Sequence, residues 1–356
     1  MNRPGETRAF NILGTELTSR PMRGTALLAL TLFAATAHAW GPDGHHTVGA
    51  LADRLIAGTD AEAHVRKLLG GLTLEQAAVW ADCAKGVDPR KDFAYTSAGK
   101  YPECALFETP EGEAEMSDFV RRNDANCPRE PGDESCHKEY HYTDEAIQRE
   151  HYHLGDVGTR DFDVVAAITA AIRVLKGEPA PAPFDIKDKR EALLLLDHYV
   201  GDVHQPLHVG AVYLDAHGAV VDPSQGSFDR ATSTQGGNGI TTNHVAASGR
   251  AENLHSRWDA IPESLRSSHI DDAWLAQARA VPPTRGPMAG WSTAWADETL
   301  ARAREALKDL VFGPQANGLR AVNLDGRYDD SMLSVKKQQL TEAGARLAQT
   351  LKVIWP

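Results

Sequence analysis

The stretch Leu193–His208, LLLLDHYVGDVHQPLH, joins a leucine-rich pattern to a set of histidine and aspartate side chains. His198 and Asp202 are four residues apart, so on a helix both side chains point from the same face. Pro206 ends the helix and lets His208 fold back beside the pair. Three possible metal ligands therefore converge within eleven residues of a predicted helical segment.

Helical spacing of apolar residues dominates the rest of the chain. It predicts helices over Thr47–Ile56, Ala61–Leu69, Leu74–Ala84, Val164–Leu175, Ile186–Val203 and Leu300–Leu307, with Leu340, Leu347, Leu351 and Ile354 marking a last one. Strand patterns are scarce, and residues 85–139 and 209–244, rich in Gly, Pro, Asp and Ser, are predicted to be irregular. We predict a mainly α-helical single domain over residues 40–356, with long irregular loops.

The N-terminal region predicts export. From Met22 the chain reads MRGTALLALTLFAATAHA, in which one arginine precedes an apolar run and an A-x-A cleavage site. The run is too short to anchor the protein in a membrane. Residues 1–39 are therefore interpreted as a signal peptide region, whose removal makes Trp40 the first residue of a secreted or periplasmic protein. We expect translation to start at Met22; the alternative is that residues 1–21 form an unusually long n-region.

The mature chain is acidic. Residues 1–39 contain four arginines and two glutamates, so their removal changes the formal net charge from −12 to −14. A protein with this charge is poorly suited to hold duplex DNA along a broad basic surface. Any nucleic-acid substrate must be attracted by local positive charge.

The four cysteines predict two disulfides, because all lie in the mature chain and meet an oxidising compartment after export. Cys127 and Cys136 flank the turn-rich PREPGDES and are placed to close a small loop, which leaves Cys83 with Cys104. Sequence alone permits three pairings. A zinc–thiolate site is the weaker interpretation, because the chain has no CxxC spacing.

Further histidines and aspartates repeat the ligand pattern of the central stretch. His255 and Asp259 in NLHSRWDA are again four apart, and Asp82 in WADC, His141 in EYHYTD and His45 in WGPDGHH offer more donors. A lone histidine is more often an ordinary core or surface residue. Imidazole together with carboxylate suits zinc, so the combination predicts a zinc site.

In motif order, the chain resembles the zinc-dependent single-strand nucleases and 3′-nucleotidases of the S1/P1 type. The motifs are an N-terminal Trp in WGPDGH, then WAD, HYTD, HYVGDVHQPLH, GGN and NLHSRWD. They span Trp40 to Asp259, with a looser match in WADET at Trp295–Thr299 and in the C-terminal segments. The resemblance implies the mainly helical fold of zinc phospholipases C and single-strand nucleases, with three zinc ions bound by nine residues.

The resemblance also implies how the nine residues divide. The first ion would be held by Asp82, His141, His198 and Asp202, the second by His208, His255 and Asp259, and the third by Trp40 and His45, with Asp202 bridging. Trp40 would bind through its free α-amino nitrogen and its carbonyl oxygen.

Four other histidines compete for these positions: His46, His151, His153 and His204. The WGxxGH spacing favours His45 over its neighbour. Only His141 lies in the HY-x-D context that resembles the family's ligand. The histidine within the central stretch occupies a position that the family does not use, and is interpreted as a locally satisfied or exposed side chain.

The resemblance further implies a hydrolytic mechanism. Two zinc ions about 4 Å apart share a water whose pKa falls toward neutrality. In such a mechanism Asp82 would orient this nucleophile for in-line attack, and the ion held by His208, His255 and Asp259 would stabilise the departing 3′ oxygen, so the product would carry a 5′-phosphate. Lys85 matches a basic residue that supports the transition-state phosphate; the alternative is an ordinary surface lysine.

Tyr142 and Asp144 match the family's base pocket, with an aromatic face for stacking and a carboxylate for the base edge. Asn238 in QGGNG matches its GGN loop. Unpaired bases enter such a pocket, whereas paired bases must first unstack. The expected substrates are single-stranded DNA, RNA and 3′-nucleotides, and the expected enzyme is a monomer.

Two alternatives use the same residues. Zinc phospholipases C share the N-terminal Trp, but they place the first histidine farther from it and end with His-x3-Glu, whereas this chain has Trp40-x4-His45 and His255-x3-Asp259. A non-enzymatic exported zinc-binding or storage protein would have closed coordination, without the open position that a catalytic site keeps for water.

Overall fold

Helices form most of the described chain. The computed structural model describes residues 40–129, 133–225, 232–246, 249, 251–316 and 318–356; the predicted signal peptide lies outside the described residues. The helices are α1 (Pro42–Ile56), α2 (Asp60–Leu68), α3 (Leu74–Ala77), α4 (Trp80–Ala84), α5 (Pro110–Asn123), α6 (Cys136–Glu139), α7 (Val164–Leu175), α8 (Lys189–Val203), α9 (Leu254–Asp259), α10 (Asp272–Ala280), α11 (Trp291–Leu307) and α12 (Gly326–Ile354). The prediction of a mainly α fold is confirmed.

Helix α8 contains the leucine-rich stretch and lies in the interior. Its N-cap, Asp188, accepts a hydrogen bond from the Glu191 backbone N–H at 2.9 Å. Every residue from 191 to 203 is buried, so the helix has no solvent-exposed face over this length. The helix ends at Val203, shortly before Pro206, as the proline predicts.

Some details of the predicted secondary structure are wrong. Residues 85–139 are not wholly irregular, because they contain α5, which the Thr109 side chain caps. Helix α5 begins with the polar sequence PEGE, and its buried residues begin only at Met116, so the first turn has no apolar spacing that would predict a helix. The segment Leu74–Ala84 forms two helices, since the chain turns at Ala78 and Val79 between α3 and α4.

In the part of the chain that the structure describes, the strands are short and no sheet has more than three of them. The strands are β1 (Val87–Asp88), β2 (Ala94–Tyr95), β3 (Glu145–Ala146), β4 (Gly210–Ala211), β5 (Tyr213–Leu214), β6 (Val220–Val221), β7 (Ile240–Val245), β8 (Ala251–Asn253) and β9 (Arg320–Val322). β7 lies between β8 and β9, with Thr241 opposite Asn253 and Ile240 opposite Arg320. The region 209–244, predicted to be irregular, therefore contains β4 to β6 and most of β7.

Helix α1 packs against both α8 and α12, and glycines permit the close approach. A Cβ at Gly344 of α12 would lie 2.5 Å from Cβ of Leu51 in α1. A Cβ at Gly201 of α8 would lie 2.7 Å from Nδ1 of His45 in α1. Real side chains do not tolerate such distances, so these glycines let α1 present His45 directly to α8.

Both predicted disulfides are present, Cys83–Cys104 and Cys127–Cys136, with S–S distances of 2.03 and 2.06 Å. The first ties α4 to the segment that follows it. Its Cys83 is the residue next to Asp82. The second closes the small loop that the sequence predicts. Among the described residues, no helix is both long and apolar enough to cross a membrane.

Candidate metal centre

The fold gathers the predicted side-chain ligands in its interior. They are His198 and Asp202 on α8, His45 on α1, Asp82 on α4, His141 after α6, His208 in the turn after α8, and His255 and Asp259 on α9. None of these residues is more than 8% exposed. The donors fall into three groups, and within each group the potential ligand atoms lie within 4.8 Å of one another.

The first group contains Asp82, His141 and His198. Nε2 of His198 lies 3.5 Å from Oδ1 of Asp82 and 3.1 Å from Nδ1 of His141. Asp202 completes the set expected from the resemblance, because its Oδ2 lies 2.9 Å from Nδ1 of His141 and 3.3 Å from Nε2 of His198.

The second group contains His45, His198 and Asp202. Nε2 of His45 lies 3.3 Å from Oδ1 of Asp202, and the rings of His45 and His198 stack with centroids 3.8 Å apart. The two oxygens of Asp202 therefore face different groups, as expected of a bridging carboxylate. His198 lies within reach of both groups, which the resemblance did not imply.

The third group contains His208, His255 and Asp259, the set expected for one ion. The Nε2 atoms of His208 and His255 lie 3.0 Å apart, and Nε2 of His255 lies 3.6 Å from Oδ2 of Asp259. Gln205 donates a hydrogen bond to Oδ1 of Asp259 at 2.8 Å, so one carboxylate oxygen is oriented by the protein.

Backbone carbonyls fix the orientation of three imidazoles. Nδ1 of His198, His208 and His255 lies 2.6, 2.7 and 2.8 Å from the carbonyl oxygens of Ala78, His141 and Gly236, respectively. A carbonyl only accepts, so each Nδ1 carries the hydrogen that it donates. In the neutral imidazole the lone pair is then on Nε2, which is the atom that faces the centre.

The facing nitrogens of His208 and His255 provide the test of whether a metal fits. Both are lone-pair acceptors, and 3.0 Å apart they repel unless a proton or a cation lies between them. His45 lies in the same interior with its Nε2 3.3 Å from Oδ1 of Asp202, and its buried Nδ1 has no hydrogen-bond partner among the described residues. This donor set fits a divalent metal ion that accepts imidazole and carboxylate ligands.

Burial keeps several of these imidazoles neutral, as metal ligation requires. It lowers the pKa of His45 to about 4, and those of His141 and His255 to about 3. Burial also raises the pKa of the Asp259 carboxyl well above its usual range. An ionised Asp259 in this interior therefore requires a nearby cation.

The field around α8 favours a positive charge. Burial opposes a charge on His198, but the anions of Asp202 and Asp82 outweigh it and raise the pKa of His198. Burial likewise opposes ionisation of Asp202, yet His198 and hydrogen bonds from the neighbouring imidazoles hold its pKa well below the usual range. A bound cation would satisfy the same anions.

A comparison with known protein families agrees with this geometry. The model of the family described as S1/P1 Nuclease matches residues 40–355. The chain belongs to the S1/P1 nuclease family. It is therefore a nuclease, a hydrolase of phosphodiester bonds, and its family is one of metalloenzymes. This assignment favours the nuclease interpretation over the phospholipase and the zinc-storage alternatives.

Individual nucleases are similar to this chain over most of their length. Endonuclease 5 of Arabidopsis thaliana is 25% identical over 343 residues, which cover 93% of this chain and 95% of that protein. Nuclease P1 of Penicillium citrinum is 25% identical, with 88% and 97% covered. Nuclease S1 of Aspergillus oryzae is 24% identical, with 89% and 92% covered. Nucleic acid is thus the substrate class of the family.

Trp40 is the first described residue of this S1/P1 nuclease and is fully buried. The next residue, Gly41, donates its backbone N–H to the carbonyl of Asp259 at 2.9 Å. The start of the described chain is therefore tied to α9. His45 follows in the first turns of α1, which connects this segment to the group at Asp202.

The four competing histidines lie away from the metal groups. His46 turns its Nδ1 to the carbonyl of Glu75 at 2.6 Å. His151 and His153 are surface residues, each with a side chain 75% exposed. His204 is buried and satisfied by the Val200 carbonyl and by Arg346, which agrees with the first of the two interpretations offered for it.

Lys85 is not an ordinary surface lysine. Its side chain is only 8% exposed, and its Nζ lies 2.7 Å from Oδ1 of Asp82, three residues earlier. The same oxygen of Asp82 lies 3.5 Å from Nε2 of His198. The nuclease thus has a primary amine directly beside its first metal group.

The three residues expected in the base pocket lie on neighbouring segments. Tyr142 and Asp144 are partly exposed after His141, and Asn238 follows the turn at Gly236. Burial raises the pKa of Asp144 to about 7, although a hydrogen bond from the Gly236 backbone lowers it in part.

Sequence reasoning missed two supporting residues of the site. Gly236 has a φ of +56°. Its carbonyl accepts a hydrogen bond from His255, and its N–H donates one to Asp144. Gln205 orients Asp259. Both residues lie in the motifs GGN and QPLH, but neither side chain is of a metal-ligand type, so a pattern of histidines and carboxylates does not identify them.

Proposed function

We propose that this S1/P1 nuclease is an exported enzyme that binds three zinc ions and hydrolyses single-stranded DNA, RNA and 3′-nucleotides, leaving 5′-phosphate products. The observation that carries the proposal is the pair of lone-pair nitrogens 3.0 Å apart in His208 and His255 beside the carboxylate of Asp259. Two more groups of donors share His198, which supports one connected centre with several ions.

Zinc is the metal that the donor set favours, because imidazole nitrogen and carboxylate oxygen are its ordinary ligands without cysteine. We assign one ion to Asp82, His141, His198 and Asp202, one to His208, His255 and Asp259, and one to Trp40 and His45 with Asp202. When bound, zinc supplies Lewis acidity toward phosphate and lowers the pKa of a water. Its charge also offsets the acidity of the mature chain, which has a formal charge of −14 once residues 1–39 are removed.

Two residues of the chain are proposed to act on the reacting phosphate. Asp82 accepts a hydrogen bond from the attacking water and so orients it, since its carboxylate belongs to the first metal group. Lys85 donates from Nζ to a non-bridging phosphate oxygen, because the ammonium is held 2.7 Å from Asp82. Removing either group should lower kcat by a larger factor than it weakens substrate binding.

Preference for single strands follows from the proposed base pocket. Tyr142 offers a ring for stacking, while Asp144 and Asn238 offer hydrogen-bonding groups for the base edge. A base in a duplex reaches such a pocket only after unpairing and unstacking, which costs a few kcal/mol. The same pocket accepts the isolated base of a 3′-nucleotide.

Export is supported by the composition of residues 1–39 and by the two disulfides, which form in oxidising compartments. Intact mass measurement of the protein recovered from outside the cytoplasm tests this part of the proposal. A chain that begins at Trp40 is the expected result, and a chain that retains Ala39 would contradict the proposed cleavage site.

The test of the activity uses protein that begins at Trp40. Zinc per chain is measured by elemental analysis, and rates are compared on single-stranded DNA, duplex DNA, RNA, 3′-AMP and phosphatidylcholine. We expect about three zinc ions, one for each group of donors. We also expect hydrolysis of single-stranded DNA, RNA and 3′-AMP, and loss of this activity in chelator. One zinc per chain, equal rates on duplex and single strands, or 3′-phosphate products would each refute the corresponding part.

A further inference from the structure

A buried lysine lies at the end of the helix that carries two proposed ligands. Lys336 of α12 is 3% exposed, and its Nζ donates to the carbonyls of Arg257 at 2.8 Å and Ala260 at 2.5 Å. These carbonyls are at the C-terminal end of α9, where backbone acceptors have no partner within the helix. The ammonium therefore caps α9.

Helix α9 depends on its neighbours for its position. It has only six residues, among them His255 and Asp259, and a helix of this length is not stable by itself. Helix α12, with 29 residues, contacts it through Lys336 and through Tyr328, whose hydroxyl accepts from Nε1 of Trp258 at 2.9 Å. The long helix is thus the support on which the short one is fixed.

The charge of Lys336 distinguishes it from a packing residue. Burying an ammonium is unfavourable unless hydrogen bonds and opposite charge compensate. Burial lowers the pKa of Lys336 to about 8, and the charge of Asp259 opposes this shift. The two carbonyls accept hydrogen bonds from the ammonium. The ammonium also lies 5.8 Å from the centre of the Trp258 ring. A methionine of similar length would avoid the cost of burial but make none of these contacts.

We propose that Lys336 is a positioning residue for the metal group of His208, His255 and Asp259. By holding the C-terminal carbonyls of α9, it keeps the two ligands of that helix aligned with His208 across the centre. The inference rests on the proposed function only in that this group binds a zinc ion. Lys336 itself does not contact the substrate or the reacting atoms in this proposal.

The test compares Lys336→Met, which removes the ammonium and its hydrogen bonds but keeps a side chain of similar length, with Lys337→Met, the same change at the next and exposed position of α12. Zinc per chain is followed during titration with a competing chelator, and the melting temperature is measured on the zinc-free proteins. We expect Lys336→Met to lose one zinc ion at a chelator concentration about 10–100-fold lower than the wild type does. The other ions should remain, and Lys337→Met should match the wild type.

Lys336→Arg, which keeps a cation, separates positioning from folding. Zinc retention closer to the wild type than that of Lys336→Met, with both variants folded, supports the proposal, whereas a Lys336→Met protein that does not fold indicates a general role in folding and overturns it. Equal retention in Lys336→Met and wild type, or parallel loss of all ions together with a lower melting temperature of the zinc-free protein, would overturn it. If the wild type itself binds no zinc at the His208 group, the proposed function fails, and that result is visible before any variant is compared.

Discussion

Some side chains of the metal centre contact more than one charged or ligating group, and Asp82 is the clearest case. Its Oδ1 faces His198, at 3.5 Å, and Lys85, at 2.7 Å, so one oxygen connects the first metal group to an ammonium. An amide at this position keeps the shape but loses the negative charge that both partners use.

We therefore predict that Asp82→Asn folds but lowers kcat by about 100-fold or more, because the variant binds zinc weakly and cannot orient the attacking water. Steady-state kinetics on single-stranded DNA and elemental analysis check this. Asp92→Asn is the control, since that side chain is 92% exposed. Near-normal turnover with full zinc would remove Asp82 from the mechanism.

The base pocket is tested at Tyr142. We predict that Tyr142→Ala raises KM for 3′-AMP about 5–150-fold, which corresponds to the loss of about 1–3 kcal/mol of stacking. Tyr142→Phe keeps the ring and should keep a KM close to that of the wild type. If the alanine variant leaves KM unchanged, the base binds elsewhere on the molecule.

At the scale of elements, the metal centre depends on how closely two helices approach. Gly201 of α8 faces His45 of α1, and a Cβ there would lie 2.7 Å from Nδ1 of the imidazole. At Gly344 of α12 the equivalent atom would instead meet Cβ of Leu51 at 2.5 Å. The two glycines therefore permit similar packing, but only the first borders a proposed ligand.

We predict that Gly201→Ala displaces His45 and loses about one zinc ion per folded chain, the ion of the group that contains His45 and Asp202. Gly344→Ala should lower the free energy of unfolding by about 1–3 kcal/mol through overpacking, with zinc content unchanged. Elemental analysis and chemical denaturation of both variants distinguish the two effects. The same zinc content in both variants would mean that His45 is not a ligand.

Over the whole molecule, the start of the mature chain is proposed to complete the metal centre. Trp40 is buried, and the neighbouring Gly41 hydrogen-bonds to the carbonyl of Asp259. A peptide nitrogen has no available lone pair, whereas an α-amine, with a reference pKa of about 7.7–8.0, readily loses a proton to a metal. Removal of the signal peptide would then couple export to activation.

We predict that protein with one extra residue before Trp40 folds, binds less zinc and cleaves single-stranded DNA much more slowly than protein that begins at Trp40. A Trp40→Phe variant that begins at residue 40 keeps the free amine and serves as the control for the indole. Zinc content and rates are compared in parallel. Equal values for the extended and the mature protein would show that Trp40 is only a packed aromatic residue.

The sequence by itself determined the helical class and the ligand candidates, because these follow from local spacing, and its four cysteines indicated two disulfides. Which cysteines pair was decided by the fold, because the sequence permits three pairings. His198 and Asp202 share a face whenever their segment is helical, and Pro206 disfavours continuation of that helix. Helix α5 and the break between α3 and α4 were missed, since α5 begins with acidic residues and the break depends on packing.

Only the tertiary structure decided how the donors meet. Asp82 and His198 are more than a hundred residues apart, and no local pattern predicts that His198 reaches two groups or that Lys85 turns inward to Asp82. No local pattern predicts the burial of Lys336 either, because the next residue, Lys337, is also a lysine and is exposed. Local periodicity specifies which face of an element is buried, whereas the contacts between distant elements depend on how their side chains fill the shared interior.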